Sequence, residues 1–373
     1  VKLGFCIMPV HPLGHDYAEA LKEDRELTVI ADKLGFVEGF FGEHLTDATE
    51  RITSSLIFVA WLLNITKTIK LGTGTINMAN HHPANVAAHV AMVDHMAEGR
   101  FIMGISPGNL WSDAEIFGNF DRDRNDMLVE AMDHVLAIWA GDAPYDLTGK
   151  YWSITTRRTF IPELGQGAIP KPYQKPHPPI VVTVVAPFSK GVTEAAARGW
   201  DPISANFLQP KWVRTHWPNY VEGCKRGGRP PDPANWRIAK SIFVADDLAT
   251  ARRYGISAEG PYHAYFKSIG TKLIAHGRAN LFKADPNMPD ESVTIDKVVE
   301  DLVIWGTPDK VAEDLLAFRE EVGDFGTLLY ASHDWLDKRL SVRSMELMVE
   351  RVMPAVNKAI APPATRQGEK ARA

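Results

Sequence analysis

The stretch "IKLGTGTINMANHHPANVAAHVAMVDHMAEGRFIMGIS", residues 69 to 106, reads as strand, helix and strand in unbroken order. Residues 69 to 77 form a short β-branched and aliphatic run. A helix is expected from about Pro83 to Ala97, where Val86, Val90, Val93 and Ala97 recur at helical spacing and form a core-packing stripe. "RFIMGIS" (100 to 106) is the next strand. A strand, a crossover helix and a second strand make a βα unit, whose strands lie parallel in one sheet.

The same alternation extends in both directions. "KLGFCIM" (2 to 8) precedes a helical stretch at 17 to 34, and "FVEGFF" (36 to 41) precedes a helix around 53 to 64. The strand at 100 to 106 leads into a helix ending near Trp139. Residues 145 to 178 break the pattern with turn residues and prolines, an excursion placed to help cover a site. Four further strands follow: "PIVVTVV" (179 to 185), "WDPISAN" (200 to 206), "WRIAKSIFVA" (236 to 245) and "GTLLYAS" (326 to 332). Between the last two lies a second insertion, near 250 to 305, followed by "GTPDKVAEDLL", where Thr307 suits an N-cap and Pro308 the first helical position. Eight strands with intervening helices favour a single TIM (β/α)8 barrel over residues 1 to 360, with chemistry in the loops after the strand C-termini. The tail at 361 to 373 reads as disordered.

Composition narrows the function classes. The chain has 373 residues, 45% hydrophobic and 23% charged, as in ordinary globular enzymes. Its net charge of −5 comes without a long Lys/Arg block, which argues against nucleic-acid binding. The apolar run "LIFVAWLL" (56 to 63) is far shorter than the roughly 20 residues that span a bilayer, so no membrane is expected. Cys6 and Cys224 show no metal or disulfide spacing. With no signal-peptide pattern, a cytoplasmic location is expected.

Polar residues cluster where the strands end. Glu43 and His44 follow the second strand, and His11 follows the first. Thr75, Asn77 and two histidines follow the third, Ser106 and Asn109 the fourth, Ser189 and Lys190 the fifth, and His333, Asp334 and Trp335 the last. His44 is a candidate proton donor or base, because imidazole titrates near neutrality. Glu43 either meets a ligand or braces its loop. No HExxH or carboxylate spacing supports a metal, and Pro12 and Gly14 interrupt the spacing from His11 to His15. Gly72 and Gly74 lack the third glycine of a dinucleotide fingerprint. Ser189 and Gly191 stand where a helix begins, and such N–H groups either hold phosphate or are simply capped.

Together, "GEH" after the second strand, residues 71 to 109, the segment 179 to 191 and "GTPDKV" (306 to 311) resemble the bacterial luciferase-like flavin monooxygenases. The resemblance implies a barrel that binds reduced FMN and uses O2 to oxygenate a small, largely apolar organic substrate through a C4a-(hydro)peroxyflavin. His44 would be catalytic. Gly74, Thr75, Asn77 and Ser106 would contact the flavin, with a non-prolyl cis peptide at Gly74 and Thr75. Ser189 and Gly191 would hold its phosphate, and His11, Glu43, Asn109, Trp111 and Trp335 would face substrate. Ser106 stands where luciferase itself has a reactive cysteine, so light emission is not implied.

With no nicotinamide site, reduced flavin would come from a separate, transiently bound reductase. A homodimer or higher homo-oligomer is expected. Inserted segments, including "YWSITTRRTF" and "PYHAYFKSIG", would be lids, and Phe188 is a further candidate wall. The competing readings are F420-dependent hydride transfer on the same fold, a non-catalytic flavin-binding barrel, and a flavin-free hydrolase using Glu43 and His44.

Overall fold

Eight parallel strands close on themselves: β1 Lys2–Ile7, β2 Glu38–Phe41, β3 Lys70–Thr73, β4 Phe101–Ser106, β5 Ile180–Val184, β6 Asp201–Ser204, β7 Arg237–Val244 and β8 Thr327–Ser332. The structure, a computed structural model, describes residues 1–7, 10–283, 285, 287–333 and 336–362. Closure runs through β1, whose residues Lys2 to Ile7 pair with Thr327 to Ser332 on one edge while Phe5 to Ile7 pair with Gly39 to Phe41 on the other. This confirms the expected (β/α)8 barrel. Among the described residues no helix is long and apolar enough to cross a membrane.

Strand alternation separates two apolar layers. Leu3, Phe5 and Ile7 point outward into the core shared with the helices, whereas Cys6, Phe40, Ile102, Val181, Ile203, Ala239 and Leu329 form a separate cluster inside the cylinder. Each large side chain so buried contributes about 1.5–3 kcal/mol. One layer below, Arg237 donates to both oxygens of the buried Glu38, at 2.6 and 3.0 Å, and seals the lower end from β7 to β2. The two-pronged geometry compensates the desolvated carboxylate.

The helices obey local signals. Tyr17–Leu34 starts after Asp16, whose side chain accepts the Glu19 N–H, and ends at Gly35 in the left-handed region. Ser55–Leu63 starts at Ser54, Pro83–Ala97 carries proline in its first turn, and Arg124–Ala140 is capped by Asp123. The expected bounds of the first and third of these helices hold to the residue.

β3 does not run straight into the mouth. Gly72 pairs with Ile102, and pairing resumes when Ile76 meets Ile105, so three residues of one strand face two of the other. The extra residue makes a bulge. Within it the Thr73 hydroxyl accepts the Gly104 N–H at 2.8 Å and donates to the Gly104 carbonyl at 2.7 Å, replacing ladder bonds. The expected cis peptide between Gly74 and Thr75 lies in this bulge.

Two features differ from the sequence reading. Val303–Gly306 is an additional parallel strand, paired with Ser241 to Val244. It takes the edge of β7 beyond the point where β6, paired only through Ile203 and Ser204, has left it. The excursion at 145 to 178 is no lid. Its hairpin, Asp146–Thr148 against Ser153–Thr155, is pinned to helix Arg124–Ala140 by Glu130, which accepts the N–H groups of Lys150, Tyr151 and Trp152. Its later part reaches the opposite end of the barrel, where Gln174 donates to the Phe101 carbonyl at the start of β4. The prolines and short strands that suggested a cover follow instead from running along the barrel's outside.

The bulge also constrains Gly104, where an added Cβ would lie 1.9 Å from the Thr73 carbonyl oxygen. Gly104→Ala is expected to cost about 1–3 kcal/mol by overpacking, read as a lower melting temperature or loss of soluble protein. A variant as stable as the wild type would show that the β3 backbone yields freely at this point.

Candidate active site

The mouth holds a cavity of about 160 Å³ whose floor is the inner apolar cluster, with Cys6, Phe40, Ile203 and Ala239 exposed to it. One wall is the bulge: Gly74, Thr75 and Asn77, facing Gly42 of the neighbouring loop and Ser106 at the end of β4. Thr183, Val185 and Asn206 form the opposite wall. The roof belongs to the second insertion, whose helix Pro261–Ala275 contributes Ile269, Lys272 and Leu273 and is followed by Arg278. A glycine is required at 74, because an added Cβ would meet Phe40 Cβ at 2.9 Å and the Phe41 amide nitrogen at 3.1 Å. Of "PYHAYFKSIG" (261 to 270), expected as a lid, Ile269 lines the cavity.

Glu43 is buried and fully engaged. One oxygen accepts the Ser55 N–H and hydroxyl at 2.9 and 2.8 Å, and the other accepts the Asn77 N–H at 3.0 Å and lies 2.8 Å from His81 Nε2. The Asn77 side chain donates back to the Glu43 carbonyl. Burial would raise the pKa of this carboxyl, but His81 and the backbone donors outweigh it and hold it below the usual range. Of its two sequence readings, the brace is the one the geometry supports. Thr75, Ser106 and Asn77 form a second polar group, with Thr75 donating to Ser106 at 2.7 Å and Ser106 to Asn77 at 2.9 Å.

His44 stands between two carboxylates. Nε2 is 3.5 Å from Glu50 and Nδ1 is 3.5 Å from Asp113. Asp113 is fixed by the Leu45 and Thr46 N–H groups and the Thr46 hydroxyl. Glu50 accepts from Lys272 at 3.0 Å, and Lys272 also binds Asp47, so the lid helix is tied to the loop after β2. Burial disfavours a charged His44, yet Glu50 and Asp113 together prevail and lift its pKa above the ordinary value. The two carboxylates thus favour the protonated form of an imidazole that lines the cavity.

Of the residues singled out in the sequence, Glu43, His44, Gly74, Thr75, Asn77, Ser106 and Asn109 all line this cavity. Others do not. His11 is buried against Asp24, 3.2 Å away, and its ring stacks on His15. The loop turns it toward helix Tyr17–Leu34, which strand order could not show. With His15 and Glu23 it brings three ligand-type atoms within 4.8 Å of one another, despite Pro12 and Gly14. Trp111 packs on Phe120 and His276 and lines an adjoining vestibule of about 500 Å³.

Ser189 and Gly191 do stand at the start of helix Lys190–Ala197, but neither lines cavity or vestibule. The Ser189 carbonyl accepts from Asn219, and the preceding Phe188 N–H is held by Thr215. Phe188 itself is largely exposed. Trp335 lies outside the described residues. Sequence reading missed Glu50, Asp113, Asn206, Lys272 and Arg278. Glu50 lies in the loop after the second strand and Asp113 in the first turn of helix Trp111–Ile116 after the fourth, locations that could have flagged them, whereas the last two depend on how the insertion folds back.

Comparison with known proteins agrees with this architecture. The family profile described as luciferase-like monooxygenase matches residues 1–324. The chain is 28% identical to 4-hydroxyprotoasukamycin monooxygenase of Streptomyces nodosus subsp. asukaensis, over 96% of this chain and 92% of that protein. It is 26% identical to limonene 1,2-monooxygenase of Rhodococcus erythropolis, over 97% of this chain and 88% of that one. In fold it is similar to the oxygenating constituent of 3,6-diketocamphane monooxygenase of Pseudomonas putida, a type II Baeyer-Villiger enzyme solved with FMN. That similarity has a TM-score of 0.84 at 24% identity and covers 95% of this chain and 98% of that one.

The imidazole between two acids has a measurable signature. Because its pKa is raised in the folded state, the stability it contributes is fully present below the unfolded value of about 6.5 and fades as pH rises through the folded value. Glu50→Gln is expected to lower the His44 pKa, followed by NMR titration of the ring, and to shrink that stability gain. An unchanged titration would remove Glu50 from the control of His44.

Proposed function

Because the chain belongs to the luciferase-like monooxygenase family, we propose that it is a flavin-dependent monooxygenase that uses reduced FMN and O2 to oxygenate a small, largely apolar organic substrate. The observation that carries this reading is the cavity itself, an apolar floor bounded by close backbone at Gly42 and Gly74, with a polar edge and the His44 imidazole beside it. Those features fit a flat ring system with hydrogen-bonding groups on one side. The names of the limonene and diketocamphane relatives support a compact terpenoid-like substrate.

Reduced flavin supplies the electrons that let O2 attack an organic molecule, chemistry that side chains do not provide. This chain's residues do the rest. The backbone at Gly74 and Thr75 offers a surface for the ring, and the linked hydroxyls of Thr75 and Ser106 with Asn77 present polar atoms to its edge. His44 holds a proton at the cavity wall. Ile269 and Leu273 cover the opening and exclude water, which would otherwise compete in the reaction. Gly72 and Gly74 do not complete a nicotinamide fingerprint, which supports delivery of reduced FMN by a separate reductase.

The test uses the purified chain with reduced FMN under 18O2 and a panel of cyclic terpenoid ketones and alkenes. One labelled oxygen atom in the product is expected. His44→Ala should slow turnover by roughly 10²- to 10⁴-fold while reduced FMN still binds. Oxygen uptake unaffected by any substrate would favour a non-catalytic flavin barrel, and F420 reduction by an alcohol would favour hydride transfer. Full activity in His44→Ala would exclude the imidazole from the chemistry.

A further inference from the structure

Away from the cavity, the loop after β1 and the first turns of helix Tyr17–Leu34 gather two imidazoles and two carboxylates. Glu23 Oε2 lies 3.0 Å from His15 Nε2 and 3.8 Å from His11 Nδ1, and these three atoms all fall within 4.8 Å of one another. The other ring nitrogen of His11, Nε2, is 3.2 Å from Asp24 Oδ1. Pro12 and Gly14 rule out a helix between the histidines, but a turn joins them instead: the His15 N–H donates to the Pro12 carbonyl, and the two rings stack 5.5 Å apart. His11 and Asp24 are fully buried, whereas His15 and Glu23 are half-buried and reachable from solvent. None of the four lines the cavity or the vestibule.

Charge favours a cation here. Among the described residues the ion-pair partners of Glu23 and Asp24 are these two histidines, so with neutral imidazoles the cluster carries two uncompensated negative charges. Asp24 Oδ2 is also buried without a hydrogen-bond partner among the described residues. Buried charge is costly unless it is balanced, and one divalent ion balances both acids. Geometry agrees with this. Zinc bound at about 2.0–2.2 Å to imidazole nitrogen and carboxylate oxygen sets neighbouring donor atoms roughly 3.3 Å apart in a tetrahedron, a separation that the distances of 3.0 and 3.8 Å bracket. Asp24 stands where a carboxylate takes the far N–H of a metal-bound histidine and fixes its orientation. Two imidazoles and a carboxylate suit first-row ions, whereas magnesium and calcium take oxygen surroundings.

We propose that His11, His15 and Glu23 bind one first-row divalent cation, represented by zinc, with Asp24 as the positioning residue behind His11. Water completes the fourth position from the open side. The ion is a brace for the rim: the His11 N–H donates to the Thr49 carbonyl at 2.8 Å and the Arg51 guanidinium to the His15 carbonyl at 3.1 Å, so metal bound here ties helix Tyr17–Leu34 to the loop that carries His44, Asp47 and Glu50. Because the four residues lie outside the cavity, the site stands or falls independently of the flavin reading.

Protein stripped with a chelator and dialysed against zinc chloride should retain one equivalent by elemental analysis and melt at a higher temperature than the stripped form. Cobalt in its place should give the visible bands of a tetrahedral site. His15→Ala and Glu23→Gln, at half-buried positions, should each abolish stoichiometric uptake, with circular dichroism reporting that the fold is kept. His89→Ala, at an exposed histidine elsewhere, should leave uptake unchanged. Asp24→Asn should weaken zinc by roughly 10- to 100-fold and shift the cobalt bands; an unchanged affinity and spectrum would remove Asp24 from the site. Zinc absent from the wild type, or retained equally by His15→Ala and Glu23→Gln, would overturn the proposal. Zinc bound at these residues with no change in melting temperature would overturn the bracing role.

Discussion

Glu43 carries its charge into a nearly waterless position, where donors from separate segments surround it: the first turn of helix Ser55–Leu63, the continuation of the bulged strand, and the turn that leads into helix Pro83–Ala97. A buried carboxylate is tolerated only when each lone pair is answered. The requirement therefore fixes three loops relative to one another at the C-terminal ends of β2 and β3. Asn77, held at both its N–H and its side chain by the same residue, sets the position of the Thr75 and Ser106 hydroxyls. Removing the acid would leave four donor groups without their shared acceptor and release the wall of the cavity.

A second charge arrangement sits beside the first and serves a different end. Asp47, Glu50 and Asp113 face Lys272 and His44, so three acids surround one ammonium and one imidazole at the opening. The surplus of negative charge favours the protonated imidazole. Burial pulls the Asp47 carboxyl upward, yet Lys272 and Thr49 bring it down to about 2, so its link to the lid persists across the neutral range. The lysine comes from the insertion and the acids from the barrel, which makes lid position and imidazole charge parts of one electrostatic system.

The barrel was legible because its evidence is periodic. Alternating short apolar runs and amphipathic helices, with Pro83 and Pro308 marking helix starts, reflect local backbone preferences that act wherever the chain lies. The wall residues Gly74, Thr75, Asn77 and Ser106 were legible because a barrel puts strand ends at one rim. His11 shows the limit of that rule. Being near a strand end does not decide which way a loop turns, and its imidazole instead pairs with Asp24. Val303–Gly306 escaped notice because its partner is a sheet edge exposed only by the divergence of β6 from β7. Lys272 and Arg278 sit in a segment whose approach to the mouth depends on contacts distant in sequence, such as Lys272 with Asp47. The same reason explains why the excursion at 145 to 178 was misplaced, since nothing local distinguishes a cover from a strap along the outside.

With that strap on the outside, the cover seen among the described residues comes from the second insertion. Under the proposed flavin chemistry, traffic past that cover has an order: the bulkier guest, if its ring rests on the innermost floor at Phe40 and Ala239, has to arrive before the smaller one seated above it. Departure runs in reverse. The transformed small molecule can leave while its larger companion stays, and the companion can be exchanged only from an otherwise vacant chamber.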